Sequence, residues 1–319
     1  MRIGILGTGE MGKTHANIYK RFPDVALIGM AGRDEIKTKE VANFIETKAF
    51  GSAYDLIHSE EVDAIDVCYP SAVHKEYVVE ALNSGKDVFC ETPLAYTVED
   101  AEAMLAAARR NKKLLMVALF DRFQSQYRHI AELIKSGQWG KPKAFFANRR
   151  SPAYFASNDI VINMMIHDFD FLSMLVGKPK AVIGLGVANS KGVNEQVNVL
   201  LEYDGITAMI EGSAMMPKSF PFSTSLRVVC EKAAVELNWH WGEHGPISDL
   251  TLYPAAGSPQ KLQIPDYDPY EAECRYFVDA VQGRVDPQLL GIEAACESLK
   301  IAVAARESFR QNGKRIEVS

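Results

Sequence analysis

The sequence predicts an α/β protein with an N-terminal doubly wound parallel sheet, followed by an α+β domain with a large, mainly antiparallel sheet. Three observations predict this fold class. The chain opens on a short apolar run that leads directly into a glycine-rich turn and an amphipathic stretch. Strand and helix patterns then alternate as far as residue 120. Beyond residue 121 strands of alternating polarity predominate, so we divide the chain into domains 1–120 and 121–319.

The opening run of Ile3, Ile5 and Leu6 is typical of a buried strand in a parallel sheet. The turn after it is a Gly-x-Gly-x-x-Gly pattern made of Gly7, Thr8, Gly9, Glu10, Met11 and Gly12. Gly7 permits a tight turn, Gly9 lets a pyrophosphate approach the backbone, and Gly12 lets the helix pack near the strand. The free N–H groups at the helix start then face the anion. We expect this turn to bind a dinucleotide, the alternative being a glycine-rich turn without a ligand.

The remaining elements follow from periodicity and from capping signals. In the first domain we expect strands at 25–31, 64–69, 87–90 and 114–120, and helices at 13–22, 37–45, 74–83 and 97–110. In the second we expect a strand at 143–150, hairpins over 197–210 and 226–237, and helices at 124–135, 160–176, 270–281 and 292–310. The first domain is therefore predicted to bind a dinucleotide.

Composition restricts the class of partner. The 319 residues carry a formal net charge of −6, with 47% apolar and 24% charged residues, which argues against nucleic acid or an anionic membrane. No apolar run is long enough to span a bilayer, and the strand pattern at the first residues leaves no room for a secretory signal. The 5 cysteines are scattered without a Cys-x-x-Cys pair, which is typical of free thiols in a reducing cytoplasm. We expect a cytoplasmic protein that binds a small molecule.

The end of the second strand indicates which nucleotide binds. In dinucleotide-binding folds an acid there accepts hydrogen bonds from the ribose hydroxyls, whereas a basic residue favours a 2′-phosphate. Here Gly32 stands where the acid is expected, and Arg33, which can grip a phosphate with two donors, follows it. We predict NADP as the cofactor, with NAD possible because a shift of one residue would place Asp34 at the ribose.

With these pieces in view, the chain resembles the family of glucose–fructose oxidoreductase, inositol dehydrogenase and MocA over nearly its whole length. The resemblance rests on the glycine-rich turn and on the order and spacing of further motifs, at residues 69–74, 85–94, 122–123, 137–140, 163–170 and 211–213. It implies a two-domain enzyme that moves a hydride between a nicotinamide and a carbinol carbon, commonly of a sugar or polyol. It also implies a homodimer or homotetramer that pairs through the open face of the C-terminal sheet.

The resemblance further implies roles for single residues. Tyr69, Pro70, His74 and Glu91 are expected along the nicotinamide side of the cofactor, although His74 also suits a packed or capping position. Arg122, which lies in one of the shared motifs, is a candidate substrate contact.

The chain departs from the family pattern at two site positions. Thr92 stands where the family usually has a lysine, and it donates one hydrogen bond without carrying charge. Asn163 replaces an aspartate one helical turn before His167. Four residues apart, Asn163 and His167 are expected to share one helix face, with His167 as the proton donor or acceptor and Thr92 and Asn163 as supports. A buried, hydrogen-bonded His167 is the alternative, and Asp170 either orients a neighbour or is an exposed helix carboxylate.

Several other groups are weaker candidates. Arg149 and Arg150 are expected to meet an anionic substrate or to be solvated charges. Tyr96 and Tyr154 could replace the missing lysine as donors, by residue type only. The Trp239–Trp241 stretch with His244 is expected in a loop after a strand, as an interface or a pocket wall. We expect no metal site, because His167 with Asn163 offers only one good ligand.

The leading hypothesis is therefore an NADP-preferring oxidoreductase acting on a carbonyl or hydroxyl of a sugar-like molecule. Losing a cation at the reacting oxygen costs on the order of a few kcal/mol at the transition state, which leaves two alternatives open. One is a catalytically impaired protein that binds cofactor or ligand on the same scaffold. The other keeps hydride transfer without the lysine, as in the biliverdin-reductase-like branch of related folds.

Overall fold

The computed structural model describes residues 1–152, 159–265 and 267–318 of the chain. The chain forms two compact units. The first comprises Met1–Phe123 and Tyr267–Cys296, and the second Gln124–Asp266 and Glu297–Ser319. In the described residues, no helix has both the length and the apolar character needed to cross a membrane.

The first unit contains a parallel sheet flanked by helices, as predicted. Its strands are β1 (Arg2–Leu6), β2 (Ala26–Ala31), β3 (Lys48–Ala49), β4 (Ala64–Val67), β5 (Asp87–Cys90) and β6 (Leu115–Val117). Its helices are α1 (Glu10–Arg21), α2 (Glu35–Ile45), α3 (Ala53–Ile57), α4 (His74–Asn83) and α5 (Val98–Asn111), with α9 (Pro269–Val281) from later in the chain. Among the described residues the strand order is β3-β2-β1-β4-β5-β6, so the strand order reverses between β1 and β4, beside the glycine-rich turn.

The second unit contains a nine-stranded, mainly antiparallel sheet in the described part of the chain, which agrees with the predicted fold class. Its strands are β7 (Pro142–Pro152), β8 (Ala181–Ala188), β9 (Asn194–Glu202), β10 (Thr207–Met216), β11 (Ser223–Cys230), β12 (Ala233–Gly242), β13 (Gly245–Pro254), β14 (Gln260–Lys261) and β15 (Ile316–Glu317). Its helices are α6 (Ser125–Lys135), α7 (Ile160–Asn163), α8 (Ile166–Val176) and most of α10 (Ile292–Arg310). Both predicted hairpins form, as β9–β10 and β11–β12.

The segment around α9 differs from the predicted domain division, which assigned residues 121–319 to the second domain. Residues 267–296 belong to the first unit instead. Phe277 stacks on Phe89 of β5 at a centroid distance of 5.2 Å. Arg275 pairs with Asp24 at 2.7 Å, so both an apolar and a charged contact join this helix to the parallel sheet domain.

The predicted helix over 160–176 is two helices in the structure, α7 and α8. Met165 lies in the break, and its backbone N–H donates to the Ile160 carbonyl rather than continuing the α-helical pattern. Its side chain packs where a Cβ on Gly212 of β10 would stand, 2.5 Å from Met165 Cγ. Because Gly212 has no side chain, Met165 can pack against the sheet at this point, and the helix is interrupted where Met165 turns toward it.

The Trp239–Trp241 stretch was expected in a loop, and this prediction is wrong. The residues continue β12, where Trp239 pairs with Ser248 and Trp241 with Pro246 of β13. The strand extends to a turn at 243–244, so that His244 lies in the turn.

Candidate functional site

The glycine-rich turn lies between β1 and α1 in the arrangement that a pyrophosphate requires. Gly7 has φ of 137°, and a Cβ on it would lie 2.7 Å from the Cys68 carbonyl oxygen. A Cβ on Gly12 would lie 2.2 Å from the Gly7 carbonyl oxygen, so the helix start packs directly on the turn. At Gly9, in contrast, a Cβ would meet nothing within 4 Å, and no side chain caps the helix there. The open space and free N–H groups at Gly9 fit an anionic ligand.

The end of β2 excludes an acid from the position next to the turn. A Cβ on Gly32 would lie 2.4 Å from Thr38 Oγ1 and 3.0 Å from Thr8, so only glycine fits. Asp34 caps α2 by accepting a hydrogen bond from the Lys37 N–H at 3.0 Å. Arg33 between them is exposed. Asp34 is held at the start of α2 by this hydrogen bond, whereas the exposed Arg33 side chain can turn toward a ligand.

Tyr69 lies nearer to the end of β2 than the resemblance implied. Its hydroxyl is 3.4 Å from the carbonyl oxygen of Ala31, the last residue of β2, and its ring packs edge-on against Tyr77. Burial raises the pKa of Tyr69 to about 12, while the charge of Arg33 opposes that rise. The Tyr69 hydroxyl therefore lies toward the half of the sheet that receives adenosine in this fold, although its backbone follows β4, and its place along the nicotinamide side stays a prediction. Pro70, next in the chain, is exposed.

His74 occupies the packed position that was its alternative. It is fully buried, and its Nε2 lies 2.7 Å from the Tyr69 carbonyl oxygen. Its Nδ1 lies 3.3 Å from Cys90 Sγ. Burial lowers the pKa of His74, and its Nδ1 also lies 3.1 Å from the Leu94 carbonyl oxygen, so the ring is held between two backbone carbonyls. His74 thus fixes the loop after β4 to β5, and its burial corrects the expectation that it lines the cofactor.

Glu91 follows β5 and adjoins a buried polar cluster that sequence reasoning missed. Its Oε2 accepts a hydrogen bond from the Thr92 N–H at 3.1 Å, and its Oε1 lies 3.4 Å from Nε2 of His15 on α1. His15 Nδ1 in turn donates to Asp66 Oδ2 on β4 at 2.9 Å. The available signal was Asp66, a charged residue inside the apolar run of β4. Thr92 itself is half-buried.

The same cluster holds a set of metal-ligand side-chain types. Ligand atoms of His15, Asp66 and Cys68 all lie within 4.8 Å of one another in the described residues. Hydrogen bonds explain this closeness, because Asp66 accepts from His15, from the Cys68 thiol at 3.2 Å and from the Tyr19 hydroxyl at 2.9 Å. Hydrogen bonds to Asp66 therefore account for the closeness of these side chains.

In the second unit His167 lies in the first turn of α8. Burial, followed by the charge of Arg149, lowers the pKa of His167 to about 4. Its Nδ1 is buried and has no hydrogen-bond partner among the residues described. His167 is therefore a neutral imidazole at neutral pH, with proton-accepting capacity that the described residues leave unused.

Asn163 ends α7, and its Nδ2 donates to the Asp159 carbonyl oxygen at 2.8 Å. Since α7 and α8 are separate helices, Asn163 and His167 do not share one continuous helix face, as the sequence had predicted they would. Asp170 is buried and accepts from Ser298 Oγ at 2.8 Å, so it is not an exposed carboxylate. Tyr154 lies outside the described residues.

The arginines expected to meet substrate are engaged by the protein. Arg149 is 5% exposed and pairs with Asp168, with Nε 3.0 Å from Oδ2. Arg122 is 7% exposed and donates from Nη1 to the Leu289 carbonyl oxygen at 2.7 Å. Arg150 pairs with Glu211 on β10 at 2.6 Å. The structure thus gives all three arginines partners within the protein, whereas the sequence left Arg149 and Arg150 either as contacts for an anionic substrate or as solvated charges.

A parallel sheet with an open phosphate turn defines a nucleotide-binding domain, and it is followed in the chain by a unit with a large antiparallel sheet. The comparisons agree with that class. The oxidoreductase family with an NAD-binding Rossmann fold matches residues 1–119, and the C-terminal domain of the same GFO/IDH/MocA family matches residues 127–236. The chain belongs to the GFO/IDH/MocA family of oxidoreductases.

Individual relatives support the assignment. The chain is 28% identical to the uncharacterized oxidoreductase YrbE of Bacillus subtilis, with 96% of this chain and 93% of that protein covered. It is 25% identical to the scyllo-inositol 2-dehydrogenase (NAD(+)) of the same organism, over 100% of this chain and 96% of that protein. Its fold matches UDP-N-acetylglucosamine 3-dehydrogenase GnnA from Acidithiobacillus ferrooxidans with a TM-score of 0.86 at 21% identity, covering 98% of both chains.

Proposed function

We propose that this oxidoreductase transfers a hydride between NADP and a hydroxyl or carbonyl carbon of a sugar- or polyol-like molecule, with His167 as the proton acceptor. The observation that carries the proposal is the half-buried, neutral ring of His167, whose Nδ1 is buried without a partner among the described residues, which leaves Nε2 as the ring nitrogen for the substrate. Relatives named as inositol dehydrogenases support the polyol class of substrate. The five free cysteines of the chain support a reducing, cytoplasmic setting.

His167, Asn163 and Thr92 have different roles in the proposed reaction. The bound nicotinamide supplies the carbon that accepts or releases the hydride. His167 takes the hydroxyl proton of the substrate as its carbon is oxidised and returns it when the carbonyl is reduced. Its lowered pKa keeps the ring unprotonated, and so available as an acceptor, at neutral pH. Asn163 binds or orients a substrate hydroxyl, and Thr92 donates a hydrogen bond to the reacting oxygen.

The first unit would hold the cofactor. The turn from Gly7 to Gly12 binds the pyrophosphate through backbone N–H groups, and Gly9 leaves the space for it. Arg33 binds the 2′-phosphate, because Gly32 has no room for an acid and Asp34 holds the helix. Tyr77, which is half-buried near Arg33 and packs against the buried Tyr69, offers an apolar face for the adenine.

Deuterium transfer is the experiment that tests this function. NADPH labelled with deuterium at C4 is incubated with a panel of keto-sugars and keto-inositols, and the products are analysed by mass spectrometry. Stereospecific appearance of deuterium on a substrate carbon is expected, together with its loss in His167→Ala at unchanged NADPH affinity. Tight NADPH binding without transfer to any compound would favour the impaired, ligand-binding alternative. Normal turnover of His167→Ala would exclude His167 as the proton acceptor.

We also infer a homodimer or homotetramer that pairs through the nine-stranded sheet. Neighbouring strands present exposed apolar side chains on one face, with Leu185 56%, Leu200 46% and Met209 40% exposed. Leu200 and Met209 are directly paired across β9 and β10. Light scattering is expected to give a multiple of the 35.3 kDa chain mass, and Leu200→Asp is expected to reduce it to the monomer. A wild-type monomer would exclude this assembly.

A further inference from the structure

The first unit contains buried polar atoms that face one another without hydrogen bonds. His15 and Glu273, on α1 and α9, are fully buried. His15 Nε2 and Glu91 Oε1 lie 3.4 Å apart, yet neither atom makes a hydrogen bond to another described residue, and the same holds for both carboxyl oxygens of Glu273. Unpaired buried polar atoms are costly, so a cluster of them in a well-packed domain calls for a functional explanation.

The pKa values of His15, Glu273 and Glu91 are shifted by different causes. Burial works against a charged His15, but Asp66 outweighs it, with further help from Glu91 and Glu273, and the pKa of His15 rises to about 9. Burial raises the pKa of Glu273 far above its usual range. Burial also raises the pKa of Glu91, while the charge of His15 lowers it. The imidazolium of His15 is therefore the cation that favours the ionised form of Glu91.

Other titratable groups face the cluster from each element packed against it. They are Tyr19 on α1, Asp66 on β4, Cys68 and Cys90 beside it, and Asp268, Tyr270 and Cys274 at α9. The thiols and phenols among them have raised pKa values and stay neutral. They supply no positive charge, so in the described cluster His15 is the cation that favours the ionised form of Glu91, and the Thr92 N–H is a neutral donor that acts in the same direction.

The position of Glu91 after β5 indicates which part of a bound dinucleotide its negative charge would face. Glu91 follows the carboxyl end of β5, and β4, β5 and β6 form the half of a doubly wound sheet that receives the nicotinamide part of a dinucleotide. Its side chain is 14% exposed, whereas those of His15 and Asp66 are 0% exposed. Glu91 is thus the member of the His15–Asp66–Glu91 chain that reaches the outside of the domain.

We propose that Glu91 favours the oxidised over the reduced nicotinamide, and that His15 is a positioning residue that keeps Glu91 ionised for this purpose. The oxidised ring carries a positive charge and the reduced ring is neutral, so a carboxylate at this edge stabilises one redox form selectively. The inference rests on the proposed function only in requiring that a nicotinamide dinucleotide binds.

Dissociation constants of NADP⁺ and NADPH, measured by calorimetry and by nucleotide fluorescence, test the role of Glu91. Glu91→Gln is expected to weaken NADP⁺ about tenfold while leaving NADPH nearly unchanged. Glu271→Gln is the matched control, because Glu271 lies on the same helix as Glu273 but is exposed and pairs with Arg21. This control is expected to bind both forms as wild type does. Equal effects of Glu91→Gln on the two forms, or none, would overturn the proposal.

His15→Gln tests the positioning role. Without the imidazolium the pKa of Glu91 rises further, so at neutral pH the variant is expected to resemble Glu91→Gln and to regain its preference for NADP⁺ at higher pH. A merely structural His15 would weaken both forms alike at every pH, which would refute the positioning role. If His15→Gln does not fold, as judged by circular dichroism, the Glu91→Gln comparison still decides for or against the proposal. Failure of wild type to bind any dinucleotide would instead refute the proposed function.

Discussion

Arg149 Nε lies 3.0 Å from Asp168 Oδ2, and this ion pair joins the central strand β7 to α8 in a buried position. The side chains of Arg149 and Asp168 are 6% and 2% exposed. Asp168 directly follows His167, so the pair fixes the helix turn that carries the proposed proton acceptor. The charge of Arg149 is also the second cause, after burial, of the lowered pKa of His167. One arginine therefore serves both the position and the protonation of His167.

Replacing Arg149 by methionine is expected to destabilise the protein by about 3–5 kcal/mol, because Asp168 stays buried after its cation is removed. The free energy of unfolding in urea is the measurement. Arg227→Met is the control on the neighbouring strand β11, where the side chain is 50% exposed and lies over the Phe146 ring. The control is expected to cost less than about 1 kcal/mol. Similar losses in the two variants would show that the buried pair has no special weight.

Local sequence patterns were sufficient to predict the elements whose signals lie close together in the sequence. The opening strand, the glycine-rich turn and both hairpins form as predicted, because their signals lie within a few neighbouring residues. The break between α7 and α8 has a different origin, namely the packing of Met165 against Gly212, which is remote in sequence. Likewise α9 joins the first unit through Phe277 and Arg275, contacts that periodicity does not reveal. Tertiary contacts thus decided what local pattern could not.

The candidate site shows the same division. The turn from Gly7 to Gly12 could be assigned a ligand class from its glycine spacing together with its place between a predicted strand and a predicted helix. The internal partners of Arg149 and the link from His15 to Glu91 required the fold, because the residues involved are separated by 19 and 76 positions. Charged residues in an apolar run, such as Asp66, are the signal to look for such buried networks.

Arg33→Ala is expected to weaken NADPH about tenfold or more, since a charge-assisted contact to the 2′-phosphate is lost. NADH, which lacks that phosphate, is expected to bind as to wild type. Lys37→Ala, an exposed cation in the first turn of α2, is the matched control for a general loss of positive charge. Fluorescence titration measures the affinity of Arg33→Ala for NADPH and for NADH, and the affinity of Lys37→Ala for NADPH. Unchanged NADPH affinity in Arg33→Ala would reject the predicted NADP preference.

Gly32→Asp is expected to destabilise the protein without creating an NAD site, although an acid at this position serves NAD in related folds. Its Cβ would lie 2.4 Å from Thr38 Oγ1, so Thr38 must move. The double variant Gly32→Asp/Thr38→Ala removes that clash and is expected to recover part of the stability. Thermal melting compares the two. A stable single variant with tight NADH binding would contradict the packing argument at Gly32.

The proton acceptor assignment predicts an unusual pH profile. Because the pKa of His167 is lowered to about 4, alcohol oxidation is expected to stay nearly constant from pH 7 to pH 5 and to fall only as the pH approaches 4. A histidine of ordinary pKa would lose activity near pH 6.5. The kcat profile of wild type distinguishes these cases, with circular dichroism at each pH to show that the protein remains folded. A midpoint near pH 6.5 would refute the lowered pKa.

His15 gives the opposite pH dependence for stability. Its pKa is raised from 6.5 in the unfolded chain to about 9 in the folded protein, so the folded state binds more protons between these values. The stabilisation is complete below pH 6.5 and is lost as the pH rises toward 9. Wild type is therefore expected to melt at progressively lower temperature across this window, whereas His15→Gln, which cannot titrate, is expected to show a flatter profile. Parallel profiles for the two proteins would mean that His15 is not charged when buried, and the link from Asp66 through His15 to Glu91 would lose its cation.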